Sequence, residues 1–142
     1  MDIVFVMLHY IVLEETCRSI HYIKQNIDTD NYKIIVVDNA SPNDSYLALQ
    51  EKYNEDDKLV LIRNGENLGF ARGNNVGFYY AKKEFSPQFI VMLNNDVYLL
   101  DKQLYHKLSG EFSDTPFAVA GPLIISKGRP SENLTEHNKA TR

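Results

Sequence analysis

Apolar runs alternate along the chain with amphipathic stretches of roughly helical length. The runs are rich in Val, Ile and Leu, and near-continuous apolar composition is typical of parallel strands that are covered on both faces. The stretches between them carry apolar residues at helical spacing. This alternation predicts an α/β fold, a mostly parallel sheet flanked by helices. The predicted strands cover residues 3–8, 33–37, 59–62 and 89–93, and the predicted helices cover residues 13–27, 41–53, 69–83 and 102–112.

Local signals predict several boundaries of these elements. Ser41 is expected to cap the second helix, with Pro42 at its first position and Asp44 three residues after the cap. A fifth strand is predicted at residues 117–121, with residues 123–125 as its continuation. After Ser126 the chain becomes polar. We therefore expect one binding domain over residues 1–126 and a loosely ordered tail over residues 127–142.

Polar clusters follow three of the predicted strands. Asp38 ends the second strand, a glycine- and asparagine-rich segment at residues 64–78 follows the third, and residues 94–96 follow the fourth. Parallel strands end on one edge of a sheet, and ligands of open α/β sheets bind there. An aspartate at such an edge can hold a hard divalent cation. The alternative is that these polar residues only form turns and helix caps.

Three motifs carry a resemblance to a known family. They are VVDNAS at residues 36–41, NLGFARGNNVG at residues 67–77 and LNND at residues 93–96. In this order and spacing the chain resembles the inverting family 2 glycosyltransferases, which have the GT-A fold. It is most similar to the rhamnosyltransferase-type and bacterial surface-polysaccharide enzymes. The resemblance extends from residue 3 to residue 125, and LNND departs from the family's D-x-D by having Asn94 first.

The resemblance implies a binding role for each motif. It implies a nucleotide-diphosphate sugar as donor, UDP- or dTDP-linked, held with Mg²⁺ or Mn²⁺. Asp96 is the implied metal residue, and Asp38 is the implied contact of the nucleotide base. The implied acceptor is a glycan or lipid-linked glycan of cell-envelope polysaccharide biosynthesis. The full set of implied nucleotide-binding residues is His9, Tyr10, Asp38, Asn67, Gly69, Arg72, Asn75, Asn94 and Asn95.

No catalytic residue is nominated. In the resembled family the general base lies well beyond the metal motif, in the half that binds the acceptor, so this chain is expected to be the nucleotide-binding half. Glu132 and Glu136 lie in the polar tail and are not nominated. His9 is interpreted as a hydrogen-bonded loop histidine rather than as a base. For Gly73 and Gly77, close helix packing is favoured over a ligand role. The alternative function is a non-catalytic nucleotide-sugar-binding module or partner subunit.

Composition and missing motifs exclude other classes. The formal net charge of −4, without a basic stripe, argues against nucleic acid as a partner. The single Cys17 fits a reducing compartment. No run of about 18 apolar residues is present to span a membrane. These features predict a cytoplasmic protein, with peripheral attachment to the inner face of the membrane left open. The first strand lacks the glycine-rich loop that a dinucleotide-dependent oxidoreductase or a sugar nucleotidyltransferase requires there.

Overall fold

A computed structural model describes residues 1–121, and it confirms the predicted α/β fold. Strands and helices alternate throughout. The predicted boundary at residue 126, the strand continuation at 123–125 and the tail with Glu132 and Glu136 lie outside the described residues. The elements are β1 (Ile3–His9), α1 (Leu13–Asn26), β2 (Tyr32–Asp38), α2 (Ser45–Tyr53), β3 (Leu59–Arg63), α3 (Gly69–Glu84), β4 (Phe89–Asn94) and α4 (Leu104–Asp114).

The four strands form one parallel sheet in the order β3-β2-β1-β4. Its register aligns the carboxyl ends of the strands. His9 pairs with Asp38, Asp38 pairs with Arg63, and Leu8 pairs with Asn94. The expectation that the polar strand ends share one edge is therefore confirmed.

The hydrophobic core lies along β1 and β2, the two central strands. Every residue of Ile3–Met7 and Ile34–Val37 is at most 1% exposed, as expected for strands that are covered on both faces. α3 packs closely on this sheet. A Cβ added at Gly77 would lie 2.4 Å from Val6 Cγ1, and one at Gly73 would lie 2.6 Å from Leu8 Cδ1. The packing interpretation of these two glycines is confirmed.

The chain divides into two compact units between Ser109 and Gly110, within α4. The first unit contains the sheet and the helices α1, α2 and α3. In the described part of the second unit, residues 115–121 form no strand, so the predicted fifth strand at 117–121 is wrong. Phe117 instead contacts Phe112 edge to face, with ring centroids 5.4 Å apart. A short apolar run forms a strand only where its context supports pairing.

The predicted start of α2 at Ser41 is also wrong, because the helix begins at Ser45. Ser41 instead makes hydrogen bonds to residues outside this helix. Its hydroxyl accepts a hydrogen bond from the Ile11 amide, and its own amide faces both carboxylate oxygens of Asp38 at 3.3 Å. Asp44 occupies the N-cap position without a side-chain capping bond. The residues before α2 therefore shape the strand-end edge instead of capping the helix.

Candidate binding site at the carboxyl edge of the sheet

Asp38 is a buried carboxylate at the centre of this edge, with 1% of its surface exposed. Arg63 Nε lies 3.3 Å from Asp38 Oδ2, and the Arg63 guanidinium also donates to the Ser41 carbonyl at 3.3 Å. The same guanidinium lies over the Tyr46 ring at 4.8 Å from its centroid. The sequence interpretation did not include Arg63. Its position, one residue past the apolar run of β3, was the available signal.

His9 is fully buried as the last residue of β1, so the predicted loop position is wrong, whereas its predicted hydrogen bonding is confirmed. Its Nδ1 lies 2.7 Å from the Thr16 hydroxyl, and its Nε2 lies 2.8 Å from the Ser45 hydroxyl. Burial lowers the pKa of His9 below its ordinary 6.5, although Asp38, 4.0 Å from Nε2, acts in the opposite direction. The ring is therefore neutral at pH 7, and it offers a ligand no exposed atom. Its backbone pairing with Asp38 explains this enclosure.

Tyr10 begins an exposed apolar loop between β1 and α1. Tyr10 and Ile11 are each 40% exposed. Ile11 adopts a φ of 67°, in the left-handed region. Ser41 accepts from its amide at 2.9 Å, and the Asn43 side chain donates to its carbonyl at 3.0 Å. The loop that presents Tyr10 is thus fixed by the segment that follows β2.

Asn39 organises the segment between β3 and α3, a role that the sequence interpretation missed. It is 3% exposed. Its Oδ1 accepts from the Asn64 side chain and the Leu68 amide, both at 3.0 Å. Its Nδ2 donates to Asn67 Oδ1 at 2.8 Å, and that oxygen also accepts from the Gly69 amide at 2.9 Å. Asn67 and Gly69, two of the predicted site residues, are therefore held together beside the end of β2.

Arg72 and Asn75 lie on exposed turns of α3. Neither side chain makes a hydrogen bond or an ion pair with another residue of the described chain. Arg72 is therefore a cation without a protein partner within residues 1–121. The structure does not join these two residues to the other predicted site residues, although both follow Gly69 in the same helix.

The residues after β4 form a tight turn, closed by a bond from the Val97 amide to the Asn94 carbonyl at 3.1 Å. The Asn95 side chain donates to the Thr16 hydroxyl at 3.1 Å. Asn94 and Asp96 are exposed. Within residues 1–121 the Asp96 carboxylate has no hydrogen-bond or ion-pair partner.

This turn fits a divalent cation of the kind the sequence implied. No group of three or more metal-ligating side chains exists within the described residues. Mg²⁺ and Mn²⁺ bound to a diphosphate do not need one, because they keep several waters and take one or two protein carboxylates. Asp96, an exposed carboxylate without a partner among residues 1–121, is suited to that coordination.

The remaining features of the described chain lie elsewhere. An open cleft of about 450 Å³ between α1 and α2 is lined by Cys17, Lys24, Lys52 and Tyr53 among others, and none of its lining residues belongs to the strand-end edge. Lys24 is already paired with Asp56. No helix within residues 1–121 is long and apolar enough to cross a membrane.

Comparison with known proteins agrees with the sequence resemblance. The family model described as Glycosyl transferase family 2 matches residues 5–140. The low-salt glycan biosynthesis hexosyltransferase Agl10 of Haloferax volcanii is 27% identical over 95 residues, which cover 67% of this chain and 29% of that protein.

Solved structures share the fold. The crystal structure of S. aureus TarS 1–349 superposes with a TM-score of 0.66 at 18% identity, over 80% of this chain and 33% of that one. The mannosyltransferase PcManGT from Pyrobaculum calidifontis, in complex with GDP-Man and Mn²⁺, gives a TM-score of 0.64 at 18% identity, over 78% and 32%. The chain thus spans about a third of the length of the proteins it matches.

Proposed function

Because this chain belongs to glycosyltransferase family 2, we propose that the carboxyl edge of its sheet binds a nucleotide-diphosphate sugar with a divalent cation, for an inverting sugar transfer. One observation carries the proposal. The polar residues at the ends of all four strands lie on one edge, and hydrogen bonds connect the segments after β1, β2, β3 and β4 into one surface.

The two sides of this edge suit different parts of the donor. On the β2–β3 side, Asn39 holds Asn67 and Gly69 next to the buried Asp38, and we assign this side to the nucleoside. Tyr10 adds an exposed aromatic ring at the end of β1. On the β4 side, the exposed Asp96 carboxylate has no partner within the described residues, and we assign this side to the diphosphate and its cation. When bound, Mg²⁺ or Mn²⁺ supplies neutralisation of the charge on the departing diphosphate.

The ligands of the similar structures support the proposed class of ligand, a nucleotide-diphosphate sugar. TarS has been crystallised with UDP-GlcNAc and with UDP, and PcManGT with GDP-Man and Mn²⁺. For this chain we propose UDP or dTDP as the nucleotide, a hexose or rhamnose as the sugar, and a glycan or lipid-linked glycan of the cell envelope as the acceptor. The proposed location of the reaction is the cytoplasmic side.

We assign no general base within residues 1–121. His9 is enclosed, and Asp96 is assigned to the cation. The proposed base and acceptor surface therefore lie outside the described residues. A positioned base contributes about 10²–10⁴-fold to such a reaction. The alternative, a nucleotide-sugar-binding module without transfer activity, shares the same edge and differs only in turnover.

Calorimetric titration with UDP, dTDP, GDP and NAD, each with and without Mn²⁺ or Mg²⁺, tests the proposal. UDP or dTDP should bind, and the metal should tighten binding by about tenfold or more, equivalent to ~1.4 kcal/mol. Asp96→Asn should remove this gain, because it deletes the free carboxylate. Asp101→Asn is the matched control, since that exposed carboxylate is paired with Lys107 at 2.6 Å. Binding of no diphosphate, or preference for NAD, contradicts the proposal.

A further inference from the structure

A row of neighbouring polar residues runs beneath the strand-end edge from β2 to the turn after β4, buried at Asp38, His9 and Thr16 and partly buried at Asn95. Asp38 Oδ1 lies 4.0 Å from His9 Nε2, His9 Nδ1 lies 2.7 Å from the Thr16 hydroxyl, and the Asn95 side chain donates to that hydroxyl at 3.1 Å. His9 and Thr16 are 0% exposed. We call these four residues the buried relay. It connects the two sides of the edge that bind different parts of the proposed donor.

The Thr16 hydroxyl is shared by three polar contacts. It donates to the Val12 carbonyl at 3.1 Å, accepts from the Asn95 side chain at 3.1 Å and lies 2.7 Å from His9 Nδ1. A hydroxyl has one proton and two lone pairs, which is enough for these three contacts. Thr16 therefore bonds both to the ring of β1 and to the turn after β4.

The Thr16 contact anchors the middle of the turn that carries Asp96. Asn95 is the residue between Asn94 and Asp96, and the bond to Thr16 holds its side chain against the first turns of α1. Ser19, one turn further along α1, holds the other end of the turn by donating to the Val97 carbonyl at 2.8 Å. Asp96 is thus left exposed while the residues on each side of it are tied to α1.

We propose that Thr16 is a positioning residue for the metal side of the site. Its hydroxyl places the Asn94–Asp96 turn relative to the network that holds Asp38, so that nucleoside and cation-bound diphosphate are bound as one unit. This inference rests on the proposed function, because it requires a nucleoside diphosphate at this edge. Groups that orient a metal-binding residue from behind typically change metal affinity about 10–100-fold when they are removed.

The test measures binding of UDP and of UMP to the full chain, with and without Mn²⁺. Thr16→Val keeps the shape of the side chain and removes the hydroxyl. It should weaken UDP binding in the presence of Mn²⁺ by about 10–100-fold. The affinity for UMP without metal should stay within about twofold of the parent value, a difference of ~0.4 kcal/mol in binding free energy. Thr16→Ser, which restores the hydroxyl, should recover the metal-dependent gain.

Two further variants separate positioning from loss of stability. Asn26→Ala is the matched control, because Asn26 is also buried on α1 and donates to a carbonyl after β4, that of Leu99, at 2.7 Å. It should lower stability and keep the gain from Mn²⁺. Asn95→Ala removes the bond between Asn95 and Thr16 by changing the more exposed partner. This variant replaces Thr16→Val in the test if Thr16→Val does not fold. If Thr16 acts through Asn95, the double variant should lose no more metal-dependent affinity than either single variant.

The outcomes distinguish this inference from the function on which it rests. If the parent chain binds no UDP, the proposed function fails. If the parent gains affinity from Mn²⁺ and Thr16→Val gains equally, the function stands and the positioning role is wrong. If Thr16→Val weakens UMP and UDP equally, with or without metal, Thr16 only maintains the fold and the inference is overturned.

Discussion

Ile11 is held in a backbone conformation that its side chain disfavours. A β-branched residue at a φ of 67° is a genuine outlier, because its Cβ approaches the following carbonyl. Two hydrogen bonds from the segment after β2 oppose this cost, one through Ser41 and one through Asn43. Strain that the surroundings maintain is frequent at binding sites. Here it fixes the loop that exposes Tyr10.

Ile11→Asn should therefore raise the free energy of unfolding by about 1 kcal/mol, since asparagine tolerates the left-handed region. The half-exposed Ile11 side chain loses little packing in this change. Urea denaturation of the parent and the variant measures the difference. Val12→Asn is the control, because Val12 has a φ of −87° and no strain to relieve. An equal or lower stability of Ile11→Asn would show that the conformation carries no cost.

At the scale of single residues, the sequence predicted where the polar strand ends lie. It did not predict which of these residues are buried or which partners they bind. Asp38 and the residues at 94–96 were identified because they end apolar runs. The burial of His9 and the role of Asn39 were not visible. Asn39 finds its partners in residues 64–69, and His9 finds one of its partners in Ser45, 36 residues away. Such contacts depend on the tertiary arrangement and leave no local pattern.

The contact between α3 and the sheet is the most demanding packing between elements. Gly77 lies against Val6 and Val37, the inward side chains of β1 and β2, and a Cβ there would lie 2.4 Å and 3.0 Å from their methyl groups. Such a contact allows no side chain without movement of the helix. Because α3 begins at Gly69, beside the Asn39 network, movement of this helix would also displace the nucleoside side of the edge.

Gly77→Ala should lower stability by about 1–3 kcal/mol, the usual cost of overpacking a core. Gly110→Ala, in another helix, should change stability in the opposite direction. Gly110 lies within α4 and a Cβ there meets no described residue within 4 Å, so alanine should stabilise by roughly 0.5–1 kcal/mol through helix propensity. Thermal and urea unfolding of both variants measure the pair. Equal effects of the two substitutions would contradict the close approach of α3 to β1.

At the scale of elements, hydrophobic periodicity predicted the four strands and four helices to within a few residues. Two other predictions were wrong, the start of α2 at Ser41 and the fifth strand at 117–121. Ser41 carried a capping pattern, yet its hydroxyl and amide serve Ile11 and Asp38, so α2 begins at Ser45. The apolar run at 117–121 resembled a strand, yet the structure forms none there. At Ser41 a partner distant in sequence, Ile11, decides between the local alternatives, whereas Phe117 contacts Phe112 only five residues away.

At the scale of the whole molecule, the parallel order β3-β2-β1-β4 brings four strand ends to one edge. The chain belongs to a glycosyltransferase family and spans about a third of the length of the relatives it matches. Under the proposal, this edge binds the donor. Contacts of Thr16 and Asn39 connect the segments that the proposal assigns to the metal and to the nucleoside.

Nuclear magnetic resonance of the ¹⁵N-labelled chain with Mn²⁺ and UDP tests this account most directly, because a paramagnetic ion broadens the amide signals nearest to it. The account predicts that broadening requires UDP and is strongest at Asn94, Asn95 and Asp96. It should reach other strand ends, while the strand starts at Ile3, Tyr32 and Phe89 keep their signals. Broadening centred on the strand starts or on the α1–α2 cleft, or the absence of any UDP-dependent broadening, would contradict it.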